Sequence, residues 1–233
     1  MATPTAPIIL YDIPSTTVIK AWSPSIWKVR FALNIKRLHH KTEWVEYPDI
    51  ENLYKKLNLP AAVFKEDGTP YYSLPVMHDP STNTTIAESF AIVKYLDKTY
   101  PHSEPILPEG TLIFHAVFLT EWKKMQERLQ EYYRPTREAH AGKRLEDIRG
   151  EVEWKVAEDG YGIVKGWLDE GGEGNLSFMG EKVCFADLVL VSDLMWAKIC
   201  LGEDSEEWKR ICGWHGGRWK AIVDRFAQYT AVS

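Results

Sequence analysis

Ser23 is a hydroxyl placed where a chain can do chemistry. It follows the short β-like run Ile8-Ile9-Leu10-Tyr11 and precedes Pro24, which suits a first helical position, while Trp27, Phe31 and Ile35 recur behind it at helical spacing. Read this way, Ser23 is the N-cap of a helix that begins just beyond a strand. A helix N-terminus gathers unpaired N–H groups and about half a unit of positive charge, so it can hold an anion or a thiolate. Ser25, two residues on, carries a second hydroxyl within reach of the same place. Taken alone, a Ser before Pro is more often only a cap, and its meaning depends on what else the chain brings to it.

The elements that must position this hydroxyl follow in order. The helix runs from about Pro24 to Arg37, and Lys41-Thr42-Glu43-Trp44-Val45-Glu46-Tyr47 reads as a strand stopped by Pro48, with Asp49 as the cap of a short helix through Leu59. Residues 60–73 carry Pro and Gly without periodicity and read as a loop. The apolar runs Leu74-Pro75-Val76-Met77 and Thr84-Thr85-Ile86 suit a β-hairpin, and Glu88 and Ser89 open a helix that ends at Tyr100-Pro101. Segment 101–110 holds three prolines and no periodicity, as a linker does. Helical patterns fill the remainder: 111–133, about 143–168, 185–199, 205–211 and 217–227. The expected organisation is an α/β domain over 1–100, a linker over 101–110 and an all-α domain over 111–233.

Composition narrows the function classes. Of 233 residues 45% are hydrophobic, enough for two cored domains, and the net charge of −5 from 28 basic and 33 acidic residues is spread without a basic block, which argues against nucleic acid as a partner. The N-terminus has no charged n-region or apolar h-region and no stretch approaches a membrane span, so a soluble, cytoplasmic protein is expected. Cys184, Cys200 and Cys212 are odd in number and far apart, which fits a reducing compartment and offers no C-x-x-C pair. His39 and His40 read as solvated helix-end residues, and no metal-ligand spacing is present, so no metal is assigned.

The β-α-β-α-β-β-α start, the Pro inside Leu74-Pro75-Val76, the Glu88-Ser89 pair and the helical second half together resemble a cytosolic glutathione transferase over essentially the whole chain. Ser23-Pro24-Ser25-Ile26-Trp27-Lys28-Val29-Arg30 resembles the serine-type signature of that superfamily, and Trp44-Val45-Glu46-Tyr47-Pro48-Asp49-Ile50 is similar to fungal-specific class A members related to bacterial β-etherases. Phe178-Met179-Gly180 followed by Phe185-Ala186-Asp187-Leu188 resembles the family's capping box and staple, with Cys184 where Ser or Thr is usual, a weaker cap that keeps its Asp187 half.

The resemblance implies a thioredoxin-like first domain, glutathione as co-substrate and a homodimer. It implies that Ser23 stabilises the glutathione thiolate, with Ser25 as a secondary contact, and that a cis Pro75 lets the Leu74 N–H and C=O pair with the cysteinyl backbone. Ser89 at its helix N-terminus would take the γ-glutamyl carboxylate and Glu88 would meet the α-ammonium. Trp122, Met125, Leu129 and Tyr133 share one face of the first long helix and would line an apolar pocket for aromatic or phenolic compounds. The expected function is conjugation of glutathione to hydrophobic aromatic electrophiles, a detoxification chemistry, or its use in cleaving their ethers, with peroxidase or β-etherase-like side activity. Two other classes stay open: a ligandin-type binder of aromatic compounds with little turnover, and a regulatory or scaffolding protein on the same fold.

Overall fold

A computed structural model of the chain describes residues 6–61, 63–64, 68–107 and 151–233. Its first half is a four-stranded sheet in the order β2-β1-β5-β6, built from β1 (Ile8–Asp12), β2 (His40–Trp44), β5 (Val76–Asp79) and β6 (Thr84–Ala87). β1 and β2 are parallel, joined through helix α1 (Pro24–Ile35), whereas β5 runs antiparallel to β1 and forms a hairpin with β6. Parallel neighbours need a crossover, and α1 supplies it. Helices α2 (Ile50–Lys56) and α3 (Ser89–Thr99) complete a thioredoxin-like α/β unit. The helices described beyond it are α4 (Glu151–Asp169), α5 (Phe185–Leu201), α6 (Glu206–Gly213) and α7 (Arg218–Phe226).

The expected hairpin and the helices at 24–37, 88–98, 185–199, 205–211 and 217–227 are all present within a residue or two of their predicted ends. Of the pattern at 143–168, the described part is α4, and the pattern at 111–133 falls outside the described residues. Segment 60–73 is not only loop: Val63–Phe64 and Pro70–Tyr71 form β3 and β4, a separate two-stranded ladder. Strands of two residues are too short to show any alternation, so the Pro and Gly around them dominate the local signal. His40 is a second correction. It opens β2 opposite Ile8, only 5% exposed, with its Nδ1–H donating to the Leu38 carbonyl at 2.9 Å, and burial pushes its pKa down. β2 ends at Trp44, after which a single 3₁₀ turn, Tyr47–Asp49, leads into α2; Asp49 is helical there and makes no side-chain cap bond.

α1 carries buried side chains around most of its circumference, including Ile26, Trp27, Val29, Phe31 and Leu33, because it packs against α3 and α5 while its Arg30 reaches Asp12 of β1 and Thr42 of β2. A helix apolar all round is one that belongs inside. The start of α5 is built as expected: the Cys184 N–H donates to Asp187 Oδ2 at 2.7 Å, and the buried carboxylate also accepts from Phe178 N–H and Ser177 Oγ. Segment 101–107 is fastened to the first unit. Asp97 of α3 accepts from the Ile106 and Leu107 amides and pairs with Lys36 at 2.7 Å, while the Ile106 carbonyl accepts from Phe185 N–H of α5.

The chain end returns to α1. Phe226 meets Phe31 edge-on at 5.6 Å, Asn34 Nδ2 donates to the carbonyls of Tyr229 and Ala231, and Thr42 N–H of edge strand β2 donates to Ser233 O at 2.8 Å. Asn34→Ala deletes two of these bonds and is expected to cost about 1–2 kcal/mol, read as a lower denaturant midpoint with an unchanged slope. An unchanged midpoint would show that the two Asn34 bonds contribute nothing to joining the two halves.

Candidate functional site

Ser23 caps α1 with its backbone alone. Its φ of −67° and ψ of 122° are those of an N-cap, and its carbonyl accepts from Ile26 N–H at 3.1 Å and Trp27 N–H at 3.0 Å. The hydroxyl, expected to turn back onto the first-turn amides, makes no capping bond. Pro24 at the next position has no N–H to offer. The half-buried Ser23 therefore presents an uncommitted hydroxyl beside the positive end of a helix, with half-buried Ser25 in the first turn.

A second wall is formed by the start of β5 and the start of α3. The Leu74-Pro75 peptide bond is cis, as the resemblance implied, and Leu74 precedes the last register pair of the hairpin, Val76 with Ala87. The Pro75 carbonyl accepts from Glu88 N–H at 3.2 Å, so two motifs thirteen positions apart are joined by their main chains. Glu88 is the N-cap of α3 with φ +81° and ψ 124°, a conformation that costs a non-glycine residue of order 1–3 kcal/mol. Its carbonyl accepts from Ile92 N–H at 2.9 Å, and its exposed side chain makes no cap bond. Ser89, 6% exposed, is the first residue of the helix. This strained conformation is held by main-chain bonds on both sides, to Pro75 and to Ile92, and it fixes the start of α3 against the start of β5.

Topology brings these pieces to one edge. Tyr11 near the end of β1 lies opposite Val76 at the start of β5, which lies opposite Ala87 at the end of β6. The chain that leaves β1 for Ser23, the chain that enters β5 through Leu74-Pro75, and the chain that leaves β6 for Glu88-Ser89 thus share the same end of the sheet. Tyr54, unmarked in the sequence reading, supports that end. Its hydroxyl donates to the Ser73 carbonyl at 2.7 Å and its ring packs on Tyr72 at 5.1 Å, so α2 holds the approach to Leu74. Burial pushes the Tyr54 phenol above its ordinary pKa and the Glu88 carboxylate adds to the shift. The sequence signal was a lone aromatic among charged residues, Glu51-Asn52-Leu53-Tyr54-Lys55-Lys56.

Between β1 and α1 lies an ion pair that sequence reading also missed. Arg30 Nη2 donates to Asp12 Oδ2 at 2.6 Å and Nη1 to Thr42 Oγ1 at 2.9 Å, while Asp12 Oδ1 accepts from Ile13 N–H at 2.7 Å. Both charged side chains are at most 1% exposed. Burial pushes the Asp12 carboxyl up and the Arg30 guanidinium down, and their attraction opposes both shifts.

Trp122, Met125, Leu129 and Tyr133 lie outside the described residues. The three cysteines belong to α5 and α6 or their caps, and burial raises all three thiols, so none is primed as a thiolate. Among the described residues no cluster of His, Cys, Asp and Glu suited to a metal occurs, and no helix is long and apolar enough to cross a membrane.

The chain is similar to known proteins along nearly its whole length. Residues 22–99 match the model of the glutathione S-transferase N-terminal domain, and residues 109–229 match that of the C-terminal domain. The crystal structure of glutathione transferase GSTFuA3 from Phanerochaete chrysosporium is 42% identical, with 98% of this chain and 99% of that one covered at a TM-score of 0.86. A glutathione S-transferase of Ceriporiopsis subvermispora, solved in complex with glutathione, is 39% identical over 98% and 99% of the two chains at a TM-score of 0.87. The glutathione S-transferase-like protein ustS of Aspergillus flavus is 29% identical over 96% of this chain and 91% of its own length. The fungal resemblance drawn from Trp44–Ile50 agrees with these relatives. With both domain models matched in order and fungal enzymes aligned end to end, the chain belongs to the glutathione S-transferase family.

Proposed function

We propose that the chain binds reduced glutathione across this end of the sheet and uses Ser23 to ionise it. The single observation that carries the reading is the uncommitted Ser23 hydroxyl at the α1 N-terminus, on a segment at the same sheet end as the cis Leu74-Pro75 bond and the Glu88-Ser89 helix start. Ser23 Oγ donates to the cysteinyl sulfur, with Ser25 as a secondary contact. The Leu74 N–H and C=O pair with the cysteinyl main chain, Ser89 and the α3 amides take the γ-glutamyl carboxylate, and Glu88 meets the α-ammonium. A free thiol titrates near ~8.5, and a hydrogen bond to a charged group together with a helix end lowers that by roughly two units.

The thiolate then attacks an electrophilic or ether-bearing carbon of a hydrophobic aromatic compound. A C–S bond forms, and the leaving group departs with its electron pair and takes up a proton. The pocket for that compound is proposed from sequence spacing at Trp122, Met125, Leu129 and Tyr133, on a helical domain beginning near 111 after a linker at 101–110. A homodimer in the cytoplasm, where glutathione is kept reduced, suits this chemistry. The glutathione held by the Ceriporiopsis relative supports the choice of thiol.

Calorimetric titration with glutathione tests the binding half. Ser89→Ala removes a donor to a carboxylate and should weaken Kd by about ten- to hundredfold, from a loss of ~1.5–3 kcal/mol. No heat with the parent protein, or an unaltered isotherm for Ser89→Ala, would overturn the proposed site.

A further inference from the structure

We propose that Trp27 is the positioning residue for the Ser23 hydroxyl, an assignment that rests on the glutathione reading above. Trp27 holds Ser23 from both sides. Its backbone N–H donates to the Ser23 carbonyl at 3.0 Å, and its indole Nε1–H donates to the carbonyl of Ala21, two residues upstream, at 3.2 Å. Ala21 and Trp27 are each only 1% exposed, so these bonds form where water does not compete. Residues 21–27 are thereby closed into a ring through the Trp27 side chain, with Ser23 on it. This closure explains how Ser23 keeps cap dihedrals although its side chain makes no cap bond. The usual anchor of an N-cap is its own hydroxyl; here a buried indole does that work and leaves the hydroxyl for a ligand.

The indole is itself held to the sheet. The Arg30 guanidinium lies over the Trp27 ring at 5.6 Å and is clamped to Asp12 at the end of β1, while the Phe31 ring packs against the indole, tilted, at 5.2 Å between ring centres. A continuous set of contacts therefore runs from β1 through Arg30 and Trp27 to the peptide that carries Ser23. Binding sites need their reacting groups locked by such supporting contacts.

The test compares Trp27→Phe with the same position carrying 3-benzothienylalanine, which keeps the two-ring shape and lacks the N–H donor. The readouts are the ultraviolet thiolate band of bound glutathione across pH, the glutathione Kd, and the pH profile of turnover with a model electrophile. Both variants should raise the apparent pKa of the bound thiol by about one unit, so the thiolate near neutral pH falls by up to about tenfold, and Kd should weaken by no more than the same factor near neutral pH and stay unchanged at pH well below the thiol pKa. Either change placed in a Ser23→Ala background should add no further shift. Trp219→Phe serves as the control, because Trp219 of α7 is equally buried and its indole donates to His215 Nδ1 at 2.9 Å, not to the chain around Ser23. It should lower Tm without moving the thiol pKa. A parent protein that shows no thiolate band would overturn the glutathione reading and this proposal with it. A parent band that stays in place in the benzothienyl variant, or shifts equally in Trp219→Phe, would overturn the Trp27 assignment alone.

Discussion

Ser23→Ala lowers turnover with a model electrophile by about ten- to hundredfold near neutral pH while glutathione binding persists, if this hydroxyl is the donor to the sulfur. The size follows from the bond lost: ~1.5–3 kcal/mol for a hydrogen bond to a charged acceptor, at 1.36 kcal/mol per factor of ten. The variant should still fold, because the Ser23 side chain makes no bond in the helix cap and the backbone bonds to Ile26 and Trp27 survive the change. The pH dependence carries the sharper information. Removing the donor raises the thiol pKa, so the deficit is greatest where the parent is ionised and the variant is not, and it shrinks as pH rises and the thiol ionises unaided. Ser25 competes for the role, in the first turn of the same helix. A pH–rate profile that is normal for Ser23→Ala and displaced for Ser25→Ala would reverse the assignment.

What the sequence disclosed, and what it did not, divides by range. The β5–β6 hairpin, the short helix at 205–211 and the Asp187 box were legible because a few adjacent residues carry their whole cause. The Ser23, Pro75 and Glu88-Ser89 motifs were legible as types and spacings, and the fold brings them to one edge. The conformation of Glu88 was not: nothing in a glutamate announces φ +81°, which is imposed by the Pro75 carbonyl on one side and α3 on the other. Tyr54 reaching Ser73, Asp97 clasping Ile106 and Leu107, and His40 buried opposite Ile8 depend on register between elements, which no local window contains. The same holds for Trp27. Its helical spacing marked it as core, and only the structure shows its indole bonded to the Ala21 carbonyl behind Ser23.

The largest loss of stability is expected at Arg30, eighteen positions from its partner. Arg30→Met leaves Asp12, 1% exposed, with its Ile13 amide and no counter-charge, and breaking a buried pair on one side costs ~3–5 kcal/mol. Chemical denaturation at neutral pH would show the loss directly. Its pH dependence has a definite sign. Without Arg30 the buried carboxyl titrates well above its unfolded value of ~3.9, so between those two points the folded state holds a proton that the unfolded state lacks. Stability relative to the parent should therefore recover as pH falls from neutral through the raised pKa, and stop recovering near pH ~4. The double change Asp12→Leu with Arg30→Met should regain most of the loss at neutral pH. The parent pair is itself imperfectly satisfied, since Arg30 Nε is buried without a hydrogen-bond partner, and such a pair adds little over apolar packing. If the single and double variants are equally unstable, the cost lies in packing between α1 and the sheet and not in the stranded charge. If the double variant regains its stability yet still shows a raised thiol pKa with bound glutathione, the ion pair serves chiefly to hold the Trp27 ring, and through it the end of α1.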